Sequence, residues 1–230
     1  MDFDSSPEVC FLGRSNVGKS SLLNALLNKK IAHASSRPGR TRSMNAFAVG
    51  GEDDMQRRLV VMDMPGYGKG GREEWGVQIM KYIEKRRELK RVFVLVDALH
   101  GVKESDRQIV QMLKGLAVPY QVVLSKVDRV LFDGTRVPSD KALDGRLIVL
   151  RRRMEEIREL VRLETEEDGG SVGEVIACSA EKRAEGKLLG IDALRFAMLH
   201  AAGLELIPNV KLAAPVEVVP FEEIFGKDGE

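Results

Sequence analysis

The sequence has few cysteines, few aromatic residues and almost no net charge. Its two cysteines, Cys10 and Cys178, cannot form the disulfide framework of a small secreted protein, and they lie in apolar runs without metal-ligand spacing. With 36 Lys and Arg against 35 Asp and Glu, the formal charge of +1 gives no global attraction to nucleic acid or to a membrane surface. Any binding to such partners must therefore come from local clusters of charge.

Long apolar runs are also missing. No segment approaches the ~18 consecutive apolar residues that a spanning helix requires, so we expect no membrane span. The acidic start over residues 1–4 lacks the pattern of a signal or transit peptide, although a leader removed before residue 1 would not be visible. A hydrophobic content of 43% and a length of 230 residues suit one large globular domain.

A stretch near the start has the form G-x-x-x-x-G-K-[ST] of a phosphate-binding loop. It follows the apolar run 9–12 and precedes leucines at helical spacing. Its glycines let successive backbone N–H groups turn toward one anion, and the positive end of the next helix points to the same place. Lys19 is expected to reach the outer phosphates and Ser20 to bind Mg²⁺. The alternative, a glycine-rich turn without a ligand, is disfavoured by the flanking strand and helix. The predicted loop comprises Gly13, Arg14, Ser15, Asn16, Val17, Gly18, Lys19 and Ser20.

Two further segments are predicted to complete the metal and γ-phosphate site. The basic, turn-rich stretch 34–43 precedes a predicted edge strand, and its Thr41 is expected to close over the γ-phosphate and bind Mg²⁺. A later apolar strand ends in Asp63, a carboxylate for Mg²⁺, and then Gly66, whose N–H is expected to contact the γ-phosphate. The predicted metal ligands are therefore Ser20, Thr41 and Asp63. A solvated connector is the alternative for 34–43.

A third segment is predicted to select the base. The apolar strand 120–124 leads into Ser125 and Lys126 and then Asp128, whose carboxylate can accept two hydrogen bonds from guanine N1–H and N2–H₂. Adenine offers no such pair of donors, which argues against an ATP-using kinase. Lys126 is expected to lay its stem along the base, and the N–H of Ala180 to bond to guanine O6.

Apolar strands alternate with helices along the chain, and the functional residues follow the strands. This order predicts an α/β fold of three layers, a mainly parallel sheet flanked by helices, with the site at the carboxyl ends of the strands. The strongest later helical patterns cover 105–113, 147–164 and 191–202. The predicted organisation is a lead over 1–7, a domain over 8–204 with an extended insertion over 129–173, and a tail over 205–230.

Five motifs of the chain together resemble those of a known family. They are GRSNVGKSSLLNAL at 13–26, RPGRTRSMNAF at 37–47, DMPGYG at 63–68, SKVD at 125–128 and CSA at 178–180. The combination resembles the EngB-type (YihA-like) ribosome-biogenesis GTPases of the TRAFAC class. The resemblance implies a P-loop G domain that binds GTP, GDP and Mg²⁺. It adds Ser21, Gly39, Arg40, Cys178 and Ser179 to the nucleotide site.

The resemblance also implies a function. It suggests a GTP-hydrolysing switch that assists assembly of the large ribosomal subunit, contacts the rRNA and proteins of the subunit precursor, and acts as a monomer. The residues expected to take part in hydrolysis are Lys19, Thr41, Asn16 and Gly66. The alternative is a nucleotide-stabilised scaffold that binds the ribosome or RNA and hydrolyses little.

Three positions qualify this picture. Ser125 stands where the base-selecting motif usually has Asn or Thr, so some hydrogen bonding of that loop is expected to be lost. Tyr67 stands where many G proteins have a water-orienting glutamine, so slow intrinsic turnover is expected. Asn16 resembles the asparagine that helps related GTPases hold K⁺ beside the phosphates, so K⁺ and the ribosomal partner are expected to raise the rate.

The segment between Asp128 and Cys178 is longer than in compact bacterial members of this family. This length favours an organellar version of the protein. The expected location is therefore the mitochondrial matrix, and the alternative is the bacterial cytoplasm.

Overall fold

The computed structural model describes residues 6–28, 44–50, 58–67, 73–132, 138–163 and 174–204. Within these ranges, strands and helices alternate along the chain as the sequence predicts. The elements are β1 (Glu8–Gly13), α1 (Lys19–Leu27), β2 (Asn45–Val49), β3 (Leu59–Asp63), α2 (Glu73–Lys85), β4 (Leu89–Asp97), α3 (Glu104–Gly115), β5 (Tyr120–Ser125), α4 (Asp128–Leu131), α5 (Asp140–Leu163), β6 (Ile176–Ala177), β7 (Arg183–Ala184), β8 (Lys187–Leu188) and α6 (Ile191–Ala201).

The main sheet has six strands in the order β2-β3-β1-β4-β5-β6. Neighbours from β3 to β6 run parallel, and β2 is an antiparallel edge strand. The predicted mainly parallel sheet and its edge strand are thereby confirmed. After β1 the chain adds strands on one side and then crosses to the other, so a crevice is expected at the carboxyl end of β1.

Helices cover both faces of the sheet and form the predicted three layers. Alternate residues of β1 point to opposite faces, as the period of a strand requires. Val9 and Phe11 pack with α1 and α6, while Cys10 and Leu12 belong to the core shared with α2, α3 and α5. The chain therefore buries an apolar core on each side of one sheet, and β1 contributes to both.

Helix α5 differs from the sequence prediction at its start. Helix α5 begins at Asp140 rather than near residue 147, because its first turns are mostly exposed and carry little of the apolar stripe that revealed the rest. Its Ile157 and Leu160 are buried in the core, so this part of the predicted insertion packs on the domain. Strand β6 is limited to Ile176–Ala177, because the chain then turns through Cys178 and Ser179.

None of the helices in the described ranges is both long enough and apolar enough to cross a bilayer.

A pair of glycines offers a test of the packing beneath α6. Gly190 and Gly186 both have left-handed backbones, with φ of 68° and 80°. A Cβ on Gly190 would lie 2.0 Å from the carbonyl oxygen of Ala177, whereas no heavy atom of the described residues lies within 4 Å of a Cβ on Gly186. We expect Gly186→Ala to lower the free energy of unfolding by about 1–2 kcal/mol through backbone strain alone. Gly190→Ala should lower it by roughly 3–5 kcal/mol, because the overlap adds to the strain. Urea denaturation measures both, and equal losses would contradict the close approach.

Candidate functional site

The loop between β1 and α1 has the strand, loop and helix context that its sequence predicts. Gly13 ends β1, and a Cβ there would lie 2.7 Å from the Val17 side chain and 3.1 Å from Leu95 Cβ. Asn16 and Gly18 adopt left-handed backbones, with φ of 65° and 99°, and α1 begins immediately after Gly18. The glycines therefore allow a tight turn that ends at a helix N-terminus, where backbone N–H groups favour an anion.

Lys19 and Asp63 form a buried ion pair beside this loop. Lys19 Nζ lies 2.5 Å from Asp63 Oδ1, and both side chains are less than a tenth exposed. Asp63 ends β3, the parallel neighbour of β1, so the two strands bring the pair together. The structure thus unites the cation predicted for the phosphates with the carboxylate predicted for Mg²⁺.

The predicted Mg²⁺ ligands fit such an ion in their chemistry. Ser20 is half-buried in the first turn of α1, and its hydroxyl and the Asp63 carboxylate are oxygen donors of the kind that Mg²⁺ prefers. Across the described ranges, no cluster of three or more His, Cys, Asp or Glu side chains could hold a metal by itself. This donor set therefore suits a Mg²⁺ ion that is also bound by nucleotide phosphates. Thr41, Gly39 and Arg40 lie outside the described residues.

The loop after β3 rests on the phosphate loop. Ser15 N donates a hydrogen bond to Tyr67 O at 3.2 Å, and Tyr67 N donates one to Gly13 O at 3.3 Å. A Cβ on Gly66 would lie 3.0 Å from Ser15 N, Cα and Oγ, so only glycine fits there without movement. The Ser15 hydroxyl is buried and has no hydrogen-bond partner among the described residues. Gly66 is therefore at the phosphate loop, and its contact with a γ-phosphate stays a prediction.

A pocket of about 640 Å³ opens beside the phosphate loop. It brings together three segments that the sequence assigned to one nucleotide. They contribute Arg14, Ser15, Asn16, Val17, Gly18 and Ser21, then Ser125, Lys126 and Asp128, and finally Cys178 and Ala180. The lining also includes Asp97, His100, Arg129 and Glu181, none of which belongs to a predicted site motif.

Asp97 holds the lysine of the base-selecting segment. Lys126 Nζ donates to Asp97 Oδ2 at 2.9 Å and to Asn16 O at 2.5 Å. Burial would raise the pKa of the Asp97 carboxyl, but the hydrogen bond and charge of Lys126, together with hydrogen bonds from Leu99 and His100, lower that pKa. The same carboxylate accepts the N–H of Leu99 at 2.9 Å. Asp97 ends an apolar strand as Asp63 does, and that position could have identified it from the sequence.

The hydroxyl of Ser125 makes a hydrogen bond within the site, and the loss of hydrogen bonding expected relative to Asn or Thr stays a prediction. Its Oγ lies 2.8 Å from Val17 O and 3.2 Å from Val96 O, and the side chain is buried. A single hydroxyl donates one hydrogen bond at a time, and the shorter distance favours Val17. Serine therefore still connects the base-selecting segment to the phosphate loop.

Asp128 presents a buried carboxylate to the pocket. It is the first residue of α4 and is 7% exposed. Burial raises the pKa of the neighbouring Cys178 thiol to about 12, and the negative charge of Asp128 adds to this effect. Within the described ranges, no donor is hydrogen-bonded to the Asp128 side chain. Its oxygens are not among the fully buried side-chain atoms without a partner, and they face the pocket, so they are available to a ligand that brings its own N–H groups.

The turn after β6 forms part of the wall of this pocket. Ser179 is fully buried, and its Oγ accepts the N–H groups of Glu181 and Lys182 at 3.1 and 3.0 Å. The hydroxyl of Ser179 therefore orders the turn, and contact of this residue with a nucleotide stays a prediction. Cys178 and Ala180, on either side of it, do line the pocket.

Comparison with known proteins agrees with this geometry. A family model described as "50S ribosome-binding GTPase" matches residues 8–126. A protein of Mesorhizobium japonicum named "Probable GTP-binding protein EngB" is 44% identical over 140 residues, which cover 57% of this chain and 66% of that protein. A protein of the same name from Chelativorans sp. is 37% identical over 207 residues, which cover 86% of this chain and 81% of that protein.

The chain spans less than two thirds of the length of the first relatives that it matches, 66% and 55% of the first two. Among solved structures, Era in complex with MgGDPNP and nucleotides of 16S ribosomal RNA aligns with a TM-score of 0.58 at 24% identity. The alignment covers 85% of this chain and 56% of that one, and it supports the fold.

Ser125 provides a test of the connection between the two loops. We expect Ser125→Ala to weaken GDP binding by about fivefold, because one hydrogen bond contributes about 1 kcal/mol. Ser125→Thr keeps the hydroxyl and should bind GDP within twofold of the unchanged protein. Isothermal titration with GDP and Mg²⁺ measures both, and equal weakening in the two variants would show that the hydroxyl is not the cause.

Proposed function

The chain belongs to the 50S ribosome-binding GTPase family, with EngB proteins among its relatives, and we propose that it binds GTP, hydrolyses it to GDP and phosphate, and assists assembly of the large ribosomal subunit. The EngB-type resemblance is confirmed by this membership, and the GTPase activity of this chain is part of the proposal. The substrate, the cofactors and the ribosomal role of this particular chain belong to the proposal.

The observation that carries the proposal is the environment of Asp128. Its carboxylate is buried at the pocket, and Lys126 is held beside it by Asp97 and by the phosphate loop. Guanine would supply two N–H donors to the carboxylate, whereas adenine would leave the charge without them. Nucleotide selection therefore favours GTP over ATP.

The residues of the chain account for binding and charge placement in hydrolysis. Lys19 and the N-terminus of α1 place positive charge at the phosphates, and Ser20, Asp63 and Thr41 would hold Mg²⁺, which neutralises phosphate charge when bound. Phosphoryl transfer depends mainly on such positioning and charge. The Tyr67 hydroxyl is hydrogen-bonded to Asp106 and therefore does not take the place of a water-orienting glutamine. This arrangement supports slow intrinsic turnover.

The proposed partner is a precursor of the large ribosomal subunit, through its rRNA and ribosomal proteins. The family description, which names binding to the 50S ribosome, supports this partner. We propose that the chain acts as a monomer. We also propose the mitochondrial matrix as its location, because the segment between Asp128 and Cys178 is long. The bacterial cytoplasm is the alternative.

Single-turnover assays with GTP and ATP test the proposed chemistry. The protein alone should hydrolyse GTP slowly, large-subunit precursor particles should accelerate it, and excess ATP should not compete. Asp128→Ala should weaken GTP binding by about 10- to 100-fold, because hydrogen bonds to a charged group are lost. Asp144→Ala, which removes an exposed carboxylate on α5, is the matched control and should behave like the unchanged protein.

The same assays separate the alternatives. Binding of GTP and particles without hydrolysis would support the scaffold, and competition by ATP would contradict guanine selection. Depletion of the protein followed by sedimentation of ribosomal particles tests the biogenesis role. An unchanged profile of the large subunit would refute that role.

The proposed K⁺ dependence concerns Asn16. This residue is exposed in the phosphate loop and has a left-handed backbone that glycine also adopts readily. At equal ionic strength, K⁺ should raise GTP turnover at least about tenfold over Na⁺, because it adds positive charge at the transition state. Asn16→Gly should abolish the difference while keeping the loop conformation. Equal turnover of the unchanged protein in the two salts would refute the assignment.

A further inference from the structure

The buried carboxylate of Asp106 joins the phosphate loop to the loop that follows β3. Nothing in the proposed mechanism requires a residue of α3 at this place. We propose that Asp106 is a positioning residue for GTP hydrolysis, which acts through Tyr67 to hold Gly66 against the phosphate loop. This inference rests on the proposed function and extends it to a residue outside the nucleotide motifs.

Asp106 is fixed in place and surrounded by donors. It is fully buried in the first turn of α3, and its Oδ2 accepts the N–H of Lys103 at 2.9 Å. Its Oδ1 accepts the hydroxyl of Tyr67 at 3.0 Å, and Arg14 Nε lies 3.1 Å from both carboxylate oxygens. Val110 and Leu113 anchor the same helix in the core. The carboxylate is therefore a rigid reference point for two loops.

Tyr67 transmits this anchoring to Gly66. Its backbone is hydrogen-bonded to Gly13 O and Ser15 N, and its side chain is hydrogen-bonded to Asp106. The residue is thus held on the phosphate loop at one end and on α3 at the other. Gly66, directly before it, packs against Ser15 with no room for a side chain. Movement of the Tyr67 ring would therefore move Gly66 relative to the phosphate loop.

The protonation state of Tyr67 suits a permanent hydrogen bond to Asp106. Burial first, and then the charge of Asp106, raises the pKa of Tyr67 well above its ordinary value. Arg14 opposes this shift and also donates from Nη2 to Gly101 O at 3.1 Å. Tyr67 therefore remains a neutral donor, and Asp106 has a cation beside it.

A positioning role predicts an effect that a purely structural role does not. The N–H of Gly66 is expected to contact the γ-phosphate, which GTP has and GDP lacks. Loss of the Tyr67–Asp106 bond should therefore weaken GTP binding and slow hydrolysis but leave GDP binding unchanged. Loss of general stability would instead affect both nucleotides or neither.

The chain contains a matched control for this bond. Tyr82 OH donates to the carboxylate of Glu8 at 2.5 Å, so a second tyrosine is hydrogen-bonded to a buried carboxylate. Glu8 begins β1, whereas the site lies beyond the carboxyl end of that strand. Tyr82→Phe therefore removes the same chemical group, a tyrosine hydroxyl, at the amino end of β1, away from the site.

The experiment compares Tyr67→Phe with Tyr82→Phe in the full chain. Single-turnover hydrolysis and the affinities for GTPγS and GDP are measured with Mg²⁺, together with the thermal midpoint. Tyr67→Phe should slow hydrolysis about tenfold, since small misplacements near reacting groups are costly, and weaken GTPγS binding several-fold. Its affinity for GDP should stay within twofold. Tyr82→Phe should lower the thermal midpoint without changing either affinity or the rate.

Asp106→Asn and the double variant with Tyr67→Phe test whether the two residues act together. Because both variants disturb one bond, the double variant should be about as slow as Asp106→Asn alone. If the double variant is slowed by the product of the two single slowing factors, the proposal is overturned. An unchanged ratio of GTPγS to GDP affinity in Tyr67→Phe would also overturn it. A failure of the unchanged protein to hydrolyse GTP would refute the proposed function instead, and the affinity ratio would still decide the role of Tyr67 and Asp106.

Discussion

The parallel pairing of β1 between β3 and β4 is the constraint on which the site depends. The register places Phe11 of β1 beside Asp63 of β3 and Gly13 of β1 beside Leu95 of β4. The carboxyl ends of the three strands therefore lie side by side. The phosphate loop leaves β1 at its carboxyl end. As a result, a carboxylate at the end of β3 and another at the end of β4 lie within reach of residues that are distant in sequence.

Among the described residues, three ion pairs connect these segments at the carboxyl ends of the strands, and each joins a cation of a predicted nucleotide-binding segment to a carboxylate of another element. They are Lys19–Asp63, Lys126–Asp97 and Arg14–Asp106. Buried pairs of this kind contribute little net stability, because desolvation offsets the attraction, but the loss of one partner is costly. Their main effect here is therefore to specify the relative positions of the loops.

Local sequence patterns were sufficient for the fold and for much of the site. The spacing of the phosphate loop, the apolar strands, Asp63 at the end of β3 and Asp128 just after β5 each depend on a few neighbouring residues, and the structure brings these groups to the carboxyl ends of the strands. Asp106 was not predictable in this way, since its bond to Arg14 spans 92 positions and depends on how α3 packs. The hydroxyl of Ser125 likewise shows its role only through the carbonyl of Val17, which lies 108 positions away.

Tyr67 illustrates how one position can carry two separate consequences. From the sequence it marks the absence of a water-orienting glutamine, whereas in the structure its hydroxyl anchors the loop after β3 to α3. Through Asp106 the same network includes Arg14, which donates to the carbonyl of Gly101. The guanidinium of Arg153 on α5 lies so close to Gly101 that a Cβ there would be 2.9 Å from it. The side chain of Arg14 in the phosphate loop is thereby connected through Gly101 to Arg153 on α5.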